Sequence, residues 1–449
     1  MILRSARRPL VMLVALAAVT FVASLAHAAP VKSRVVLIAP FDASALDADE
    51  RWIGEAVGEI LRLSFVQHQA FIPLERSRLR ALGAPAVWGN EVVQQAARSM
   101  RADVAIFGRV TRTGSDLVLQ PRYLEVKPPG EPVTLEEIAV GDGQLFAKLS
   151  SLPTVYARAL RVPLTEAETA RIEKAARPTR SLRALELYAR AHVALTRGGQ
   201  DANESAVDLL SRAIESDASF VAAQFALGTV HQALGNRWKA QAQYRAATQL
   251  DPTQPEPYKA IGDLFLIQPR RLFDQALEAY AKAIELRPYY ADAHVGLGDA
   301  RAAKGDTDGA IKAYQQALVY NAMSPRVHLS LGKIYFGEKG LYYEAVNAYK
   351  KAIDLDSSSV EARMGLGEVY EDKGLWKEAA DEYRKVIELD AKHTGAMYNL
   401  AIVYEKTDPR EAIAQWERYI ALASQLPAEK DWVDVARQHL RKLKSQIKD

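Results

Sequence analysis

Across the second half of the chain, apolar residues return at i, i+3, i+4 and i+7, the spacing that gives an α-helix one apolar face. That helical pattern is itself periodic. Tyr244, Tyr280, Tyr314, Tyr349 and Tyr383 recur every 34 to 36 positions, each four residues after an alanine: Ala240, Ala276, Ala310, Ala345 and Ala379. Upstream in each period stands an aliphatic–glycine pair: Leu227-Gly228, Ile261-Gly262, Leu297-Gly298, Leu331-Gly332 and Leu366-Gly367, with Ala401 in the last full unit. Asp251-Pro252 and Arg287-Pro288 mark helix ends, and Gly235, Gly305, Gly340 and Gly374 mark turns inside a unit. Each unit is therefore expected to be two amphipathic helices. The glycine lets a neighbouring helix approach closely, and the tyrosine, replaced by Trp416 at the end, fills the gap between units. No unit buries its apolar face alone, so stacking is obligatory.

This period and residue set resemble the tetratricopeptide (TPR) repeat. Units fit at 221–254, 255–290, 291–324, 325–359, 360–393 and 394–426. A weaker one fits at 183–220, where Ala206, Leu210, Ala213 and Ala218 lie 34 residues before Ala240, Tyr244, Ala247 and Pro252. About seven units thus span 183–426, with small insertions near Gln268-Pro269 and Gly337–Tyr342. Residues 427–449 read as a capping helix with Trp432, Val435, Ala436, His439, Leu440 and Leu443 on one face. Lys430, Arg437, Arg441 and Lys444 stand on the other. The resemblance implies a mainly α protein built on a right-handed TPR α-solenoid.

Ahead of the repeats the pattern changes. Val35 to Phe41 is a short apolar run bounded by turn residues, read as a buried strand. Trp52 to Phe65 has helical spacing, Phe71-Ile72-Pro73-Leu74 is a second strand, and Glu91 to Met100 a second helix. Asp103 to Thr111 and Leu117 to Val126 flank the turn Thr113-Gly114-Ser115-Asp116 and read as a hairpin. Val133 to Val140 adds an edge strand, and Leu145 to Leu160 a closing helix. The expected product is a small α/β domain with a mixed sheet over residues 30–162, of about 130 residues. A linker helix at 163–182 follows.

The first residues bear on compartment. Arg4, Arg7 and Arg8 form a basic region, Leu10 to Leu25 an apolar one, and Ala26-His27-Ala28 a cleavage site, so 1–28 read as a signal peptide. The apolar stretch is short for a membrane span, which needs about 20 residues, although an uncleaved anchor is the competing reading. Arg7-Arg8 is compatible with twin-arginine export; Pro9 and the strongly apolar stretch favour the general route. With no cysteine there is no lipid-acceptor thiol and no disulfide. The expectation is an exported periplasmic protein that is not a lipoprotein and has no integral span after cleavage. Charge changes little: net +3 with 25% charged residues is ordinary globular composition and speaks against a nucleic-acid partner.

A second resemblance covers the N-terminal part. Val35–Phe41, Ile53-Gly54-Glu55-Ala56, Ile72-Pro73-Leu74-Glu75-Arg76 and Ala102 to Val110 are similar to the amino-terminal domain of the Tol-system protein TolB and its FlgO-like relatives. Val162-Pro163-Leu164-Thr165 to Ala184-Leu185-Glu186-Leu187-Tyr188 resembles the junction that joins such domains to TPR arrays in certain bacterial regulators and cyclases. The chain lacks the β-propeller of TolB and the output domains of those regulators. A Tol or signalling role is therefore not carried over, and the resemblance implies a protein that docks on other envelope proteins.

Motifs of catalysis are missing. The chain has no G-x-x-x-x-G-K-[ST], H-E-x-x-H or G-x-S-x-G. Gly296-Leu297-Gly298 and Gly365-Leu366-Gly367 belong to repeat packing, and Gly141-Asp142-Gly143 has Phe146 where a dinucleotide loop needs its third glycine. His294 and His328 hold matching places in adjacent repeats, and His231 fills a slot taken elsewhere by Phe265, Tyr335, Tyr370 and Tyr404, so packing is favoured over metal ligation. His68 stands alone in a polar turn. The chain is expected to be no enzyme and to need no cofactor or metal.

Function then falls to the repeats. By resemblance to TPR proteins, the second, fifth, ninth and twelfth residues of each first helix face a concave groove. These are Glu256, Lys259 and Asp263; Asp292, Val295 and Asp299; Arg326, Leu329, Lys333 and Phe336; Glu361, Met364, Glu368 and Glu371; Tyr398, Ile402 and Glu405. Acidic residues outnumber basic ones, with Phe336, Met364 and Tyr398 interleaved. Such a face suits protein or peptide partners, envelope proteins with basic plus apolar segments. Lys333 and Asn399 are too few for the carboxylate clamp of some TPR domains. The expected function is a non-catalytic periplasmic adaptor or scaffold. The alternative is a ligand-sensing accessory subunit whose α/β domain binds a small molecule or glycan.

Overall fold

The computed structural model describes residues 33–74, 87–141, 143–267 and 272–446. The expected signal peptide 1–28, Glu75-Arg76, Asp142 and the Gln268-Pro269 insertion lie outside the described residues. The chain divides into two units, Met1–Pro178 and Thr179–Asp449.

The first unit is built on a mixed sheet of β1 (Arg34–Ile38), β2 (Phe71–Pro73), β3 (Val104–Thr113), β4 (Asp116–Glu125), β5 (Val133–Thr134) and β6 (Ile138–Val140). Its order is β2-β1-β3-β4-β5, with β6 also on β4. β1 runs parallel to β2 and β3, while β3 and β4 form an antiparallel hairpin. Gly114, at φ +62°, opens the two-residue hairpin turn, a backbone value that costs a glycine nothing. The helix α1 (Trp52–Phe65) supplies the crossover between parallel β1 and β2. A Cβ on Gly54 would stand 2.1 Å from the Phe41 carbonyl oxygen, so α1 lies tight on the loop after β1.

Val35, Leu37, Ala105, Phe107 and Leu124 meet Val93, Ala96 and Ala97 of α2 (Asn90–Ser99) in one core cluster. Two further helices, α3 (Leu145–Ala159) and α4 (Glu166–Ala175), pack with α1. Tyr156 on α3 is fully buried; its hydroxyl donates to the Phe107 carbonyl at 2.9 Å and accepts the Arg122 N–H at 3.1 Å. Burial pushes this phenol well above its ordinary pKa.

The expected single edge strand is two short ones. β5 pairs with Arg122 and Tyr123, β6 with Leu117 to Leu119, and the stretch between them faces Pro121. Leu135 N–H reaches the Pro121 carbonyl at 2.9 Å, but proline has no N–H to return, so the ladder breaks there.

The second unit is helical pairs throughout. They are α5 (Leu182–Thr196) with α6 (Gln200–Ser216), α7 (Val221–Ala233) with α8 (Arg237–Leu250), and α9 (Pro255–Leu266) with α10 (Phe273–Leu286). Next come α11 (Ala291–Ala303) with α12 (Thr307–Tyr320), α13 (Pro325–Gly337) with α14 (Tyr342–Leu355), α15 (Val360–Asp372) with α16 (Trp376–Leu389), and α17 (Thr394–Thr407) with α18 (Pro409–Ala423). A last helix, α19 (Lys430–Gln446), follows. Turns after the first helices close on left-handed glycines such as Gly305, at φ +83°.

Packing follows one rule. A Cβ built on Gly228, Gly262, Gly298, Gly332 or Gly367 would stand 2.5 to 2.7 Å from Tyr244, Tyr280, Tyr314, Tyr349 or Tyr383 of the same pair. The tyrosine rings fill the space the glycines leave, and all five are 2% exposed or less. Burying each ring contributes about 2 kcal/mol.

The last helix departs from the expected stripe by one residue. Val433, Ala436 and Leu443 are its buried residues, while Trp432 is 56% exposed at the margin. The i, i+3, i+10 set centres the contact on Val433, which turns the preceding tryptophan outward.

Candidate partner-binding face

The predicted face residues sit on the first helix of each pair, from α9 to α17, and the structure joins several of them into a ladder of charge pairs. In α9, Lys259 Nζ lies 2.8 Å from Asp263, one helical turn away, and Glu256 lies 2.7 Å from the buried Arg287. Between α11 and α13, Asp299 pairs with Arg326. Between α13 and α15, Lys333 pairs with Glu361 at 2.8 Å. The last two are rungs of one geometry with opposite polarity: position nine of one first helix meets position two of the next.

Second helices reach the same carboxylates from behind. Tyr280 donates its hydroxyl to Asp263 at 2.8 Å, Tyr314 to Asp299 at 2.6 Å and Tyr383 to Glu371 at 2.8 Å. Trp416 Nε1 does the same for Glu405 at 2.7 Å, and His439 Nδ1 of α19 lies 2.8 Å from that carboxylate. For Asp263 and Asp299 the glycine just before each explains why: Gly262 and Gly298 bring the aromatic ring under the first helix, and the ring's polar tip emerges at the next residue; Glu371 and Glu405 lie four residues beyond Gly367 and Ala401, one turn further on.

Electrostatics follow the burial. Partial burial raises the Asp299 carboxyl above its ordinary value, against the opposing pull of the Tyr314 hydroxyl and Arg326. Glu368 is raised by desolvation and by its neighbour Glu371, with Lys333 offsetting part of the effect. Tyr244, whose hydroxyl meets Gln232 at 2.7 Å, is pushed up to about 12 by burial. Burial and a facing carboxylate push Tyr280, Tyr314 and Tyr383 higher still, so these phenols stay protonated donors.

Apolar members gather at the C-terminal end. Tyr398 meets Trp416, Tyr419 and Trp432 edge-on at 5.0, 5.5 and 5.5 Å between ring centres. Ile402 packs into that cluster, Met364 against the one around Tyr383, and Phe336 lies 5.9 Å from Tyr342.

A family profile described as TPR repeat matches residues 298–337 and 338–374, and one described as tetratricopeptide repeat matches 221–254 and 360–393. The chain carries tetratricopeptide repeats. Solved structures are similar over part of the chain. YrrB, "a TPR protein with an unusual peptide-binding site", is 22% identical over 43% of this chain and 97% of its own, at a TM-score of 0.37. MamA is 27% identical over 37% of this chain and 95% of its own, at 0.34. PilF of Pseudomonas aeruginosa is 16% identical over 51% and 98%, at 0.43. No curated protein matches the chain.

Within the TPR array the histidines take packing places. His294 is buried, 2.8 Å from the Pro288 carbonyl, and His231 is buried with its pKa lowered by desolvation. Among the described residues no group of three or more His, Asp or Glu could hold a metal ion, and no helix is long and apolar enough to cross a membrane.

In the first unit His68 is 3% exposed. Its Nδ1 accepts the Ala70 N–H at 3.1 Å and its Nε2 lies 3.3 Å from Glu168 on α4. Nothing local in the sequence pointed to this pair, because its members are far apart in the chain. Glu168 itself was readable: Thr165 and Glu168 make a capping box at the start of α4.

Proposed function

We propose that this protein is a non-catalytic scaffold of the cell envelope that holds partner proteins through the first-helix face of its TPR array. Export to the periplasm is part of this reading and rests on the signal-like residues 1–28. The resemblance of the N-terminal unit to TolB-type domains adds a second docking module to it. The observation that carries the reading is the continuous strip formed by Asp263, Asp299, Lys333, Glu368, Glu371, Tyr398 and Ile402. Two consecutive rungs tie α11, α13 and α15 side by side, which supports a preorganised middle of the strip for one extended or helical segment.

The partner is a protein segment carrying basic and apolar side chains, because carboxylates and aromatic rings alternate along the strip. Reversing Glu368 and Glu371 to lysine is the direct test, since neither carries an ion pair among the described residues. Partner capture should fall with the helical content unchanged, and the loss should shrink as salt is raised. Capture that is indifferent to both reversals at low salt sinks this use of the face. Mass spectrometry of the mature protein tests the compartment: a chain that keeps Met1 contradicts cleavage and export in soluble form.

A further inference from the structure

The glycine–tyrosine packing has a second half, and the chain does not keep it at every junction. Two residues before the glycine that receives a pair's own tyrosine, Gly296 of α11 and Gly365 of α15 receive the tyrosine of the preceding pair. A Cβ on Gly296 would stand 2.3 Å from the Tyr280 ring, and one on Gly365 would stand 2.5 Å from the Tyr349 ring. The same place holds Ala260 in α9, Ser330 in α13 and Asn399 in α17. Each of these three carries the Cβ that the two glycines exclude. Carbon atoms rest about 3.5–4 Å apart, so there the ring and the helix must stand off by more than about 1 Å.

Helix spacing follows this difference. Among the described residues, consecutive first helices come close at α9–α11 and at α13–α15, the two junctions with a glycine. They draw apart at α7–α9, α11–α13 and α15–α17. The gap between α11 and α13 coincides with the thinnest packing of the array. From α6 to α17, a second helix rests on the next first helix least extensively at α12 against α13, and most extensively at α16 against α17. Tyr314 stays buried at the thin junction, in one apolar cluster with Val327, Leu331 and Ile334. Apolar contact has no direction, and packed helices can slide on it. Ser330 sets its side chain beside the Tyr314 phenol instead of opening a seat for the ring.

What spans the gap is the Asp299–Arg326 pair, whose arginine side chain is 68% exposed. Salt screens a pair of this kind, whereas it leaves a buried ring against a glycine in place. The Lys333–Glu361 pair crosses α13–α15 in the same exposed manner, but there Gly365 already interlocks the helices. We propose that the junction between α12 and α13 is a releasable flex point of the solenoid, in which the Asp299–Arg326 ion pair stands in for the missing interlock. While the strap is closed, the middle of the first-helix face is held in register. Once it opens, residues 183–324 and 325–446 swing against each other and the face widens between α11 and α13. The device belongs to the chain alone and holds whether or not that face carries a partner.

The chain has no cysteine, so spin labels can be attached at introduced ones without removing any. Val319→Cys with Tyr343→Cys spans the α12–α13 junction, and Tyr343→Cys with Leu389→Cys spans the interlocked α14–α15 junction; all three positions are exposed. Distance distributions are read by pulsed electron paramagnetic resonance on the full chain, with helical content checked by circular dichroism. Both distributions should be narrow at low salt. Raising the salt should broaden the first and leave the second unchanged. Arg326→Gln should broaden the first without added salt. Ser330→Gly gives Tyr314 the seat that Tyr280 has, and should abolish the response to salt. Ser330→Ala should keep that response, because the Cβ and not the hydroxyl excludes the ring. A first distribution indifferent to salt and to Arg326→Gln overturns the strap. Equal broadening of both distributions overturns its location, since the whole array then loosens. Ser330→Gly behaving as Ser330→Ala does overturns the part given to the missing glycine.

Discussion

Tyr280 and Gly296 compete for the same space: a Cβ on Gly296 would stand 2.3 Å from Cε1 of the Tyr280 ring. Gly296 belongs to the pair after that of Tyr280, so the contact holds successive repeats together, beside the contact of Tyr280 with Gly262 within its own pair. Gly296→Ala must push the ring or the helix away, at a cost of about 1–3 kcal/mol. Gly337, with nothing near its Cβ position, is the control; there alanine should stabilise by up to about 1 kcal/mol. Chemical denaturation of the two variants checks this, and equal midpoints would mean that the interlock contributes nothing.

Tyr314 and Asp299 are coupled through a charge-assisted hydrogen bond of 2.6 Å. Tyr314→Phe leaves the carboxylate, 17% exposed, with Arg326 alone, and should cost about 1.5–3 kcal/mol. In a double-mutant cycle with Asp299→Asn the coupling should exceed about 0.5 kcal/mol. Additive effects would show that the hydroxyl and the carboxylate do not depend on each other.

Glu368 gives a signed pH effect. Its carboxyl is raised in the folded chain, so it holds a proton more tightly folded than unfolded. The charged form is therefore the destabilising one. The resulting penalty is absent below the ordinary value of 4.5 and is complete once the pH has passed the folded value. Glu368→Gln should stabilise the array by about 0.2–0.5 kcal/mol at pH 7, the scale of a like-charge pair on a helix. The gain should vanish in acid; a gain that persists there has another origin.

His68 works in the opposite direction. Burial lowers its pKa, as does Arg171, while Glu168 pulls it back up. Its Nδ1 already accepts the Ala70 N–H, so a proton there would set donor against donor. Neutral His68 stabilises the first unit above the ordinary value of 6.5, and that contribution is lost as the pH falls from there through the lowered folded value. Amide protection of α4, corrected for intrinsic exchange rates, should weaken over this window in the natural chain and stay level in His68→Gln. Identical profiles would remove the histidine from the account.

The repeats were legible because each packing demand recurs at fixed spacing: a glycine that admits a ring, and the ring itself. Lys259 and Asp263 were placed on the same face by their one-turn separation, while their pairing comes from the structure. The rungs were not. Joining Asp299 to Arg326 requires the rotation of one first helix against the next, which periodicity does not carry. The same limit hid the tyrosine hydroxyls behind the face carboxylates. It also hid the pairing of His68 with Glu168, which the fold alone brings together. The edge strand was read as continuous because Val133 to Val140 is apolar at both ends, whereas the break comes from Pro121 on the neighbouring strand.

The central claim is that partners are held on the first-helix face. Photoreactive residues placed in living cells at Met364 and Ile402 on that face, and at Trp238 and Tyr343 on the second helices, test it directly. The latter two are 77% and 76% exposed, so access is not limiting there. The account predicts crosslinks to one or two defined proteins from Met364 and Ile402, and none to those proteins from Trp238 or Tyr343. Capture of the same proteins only from the second-helix positions would contradict it.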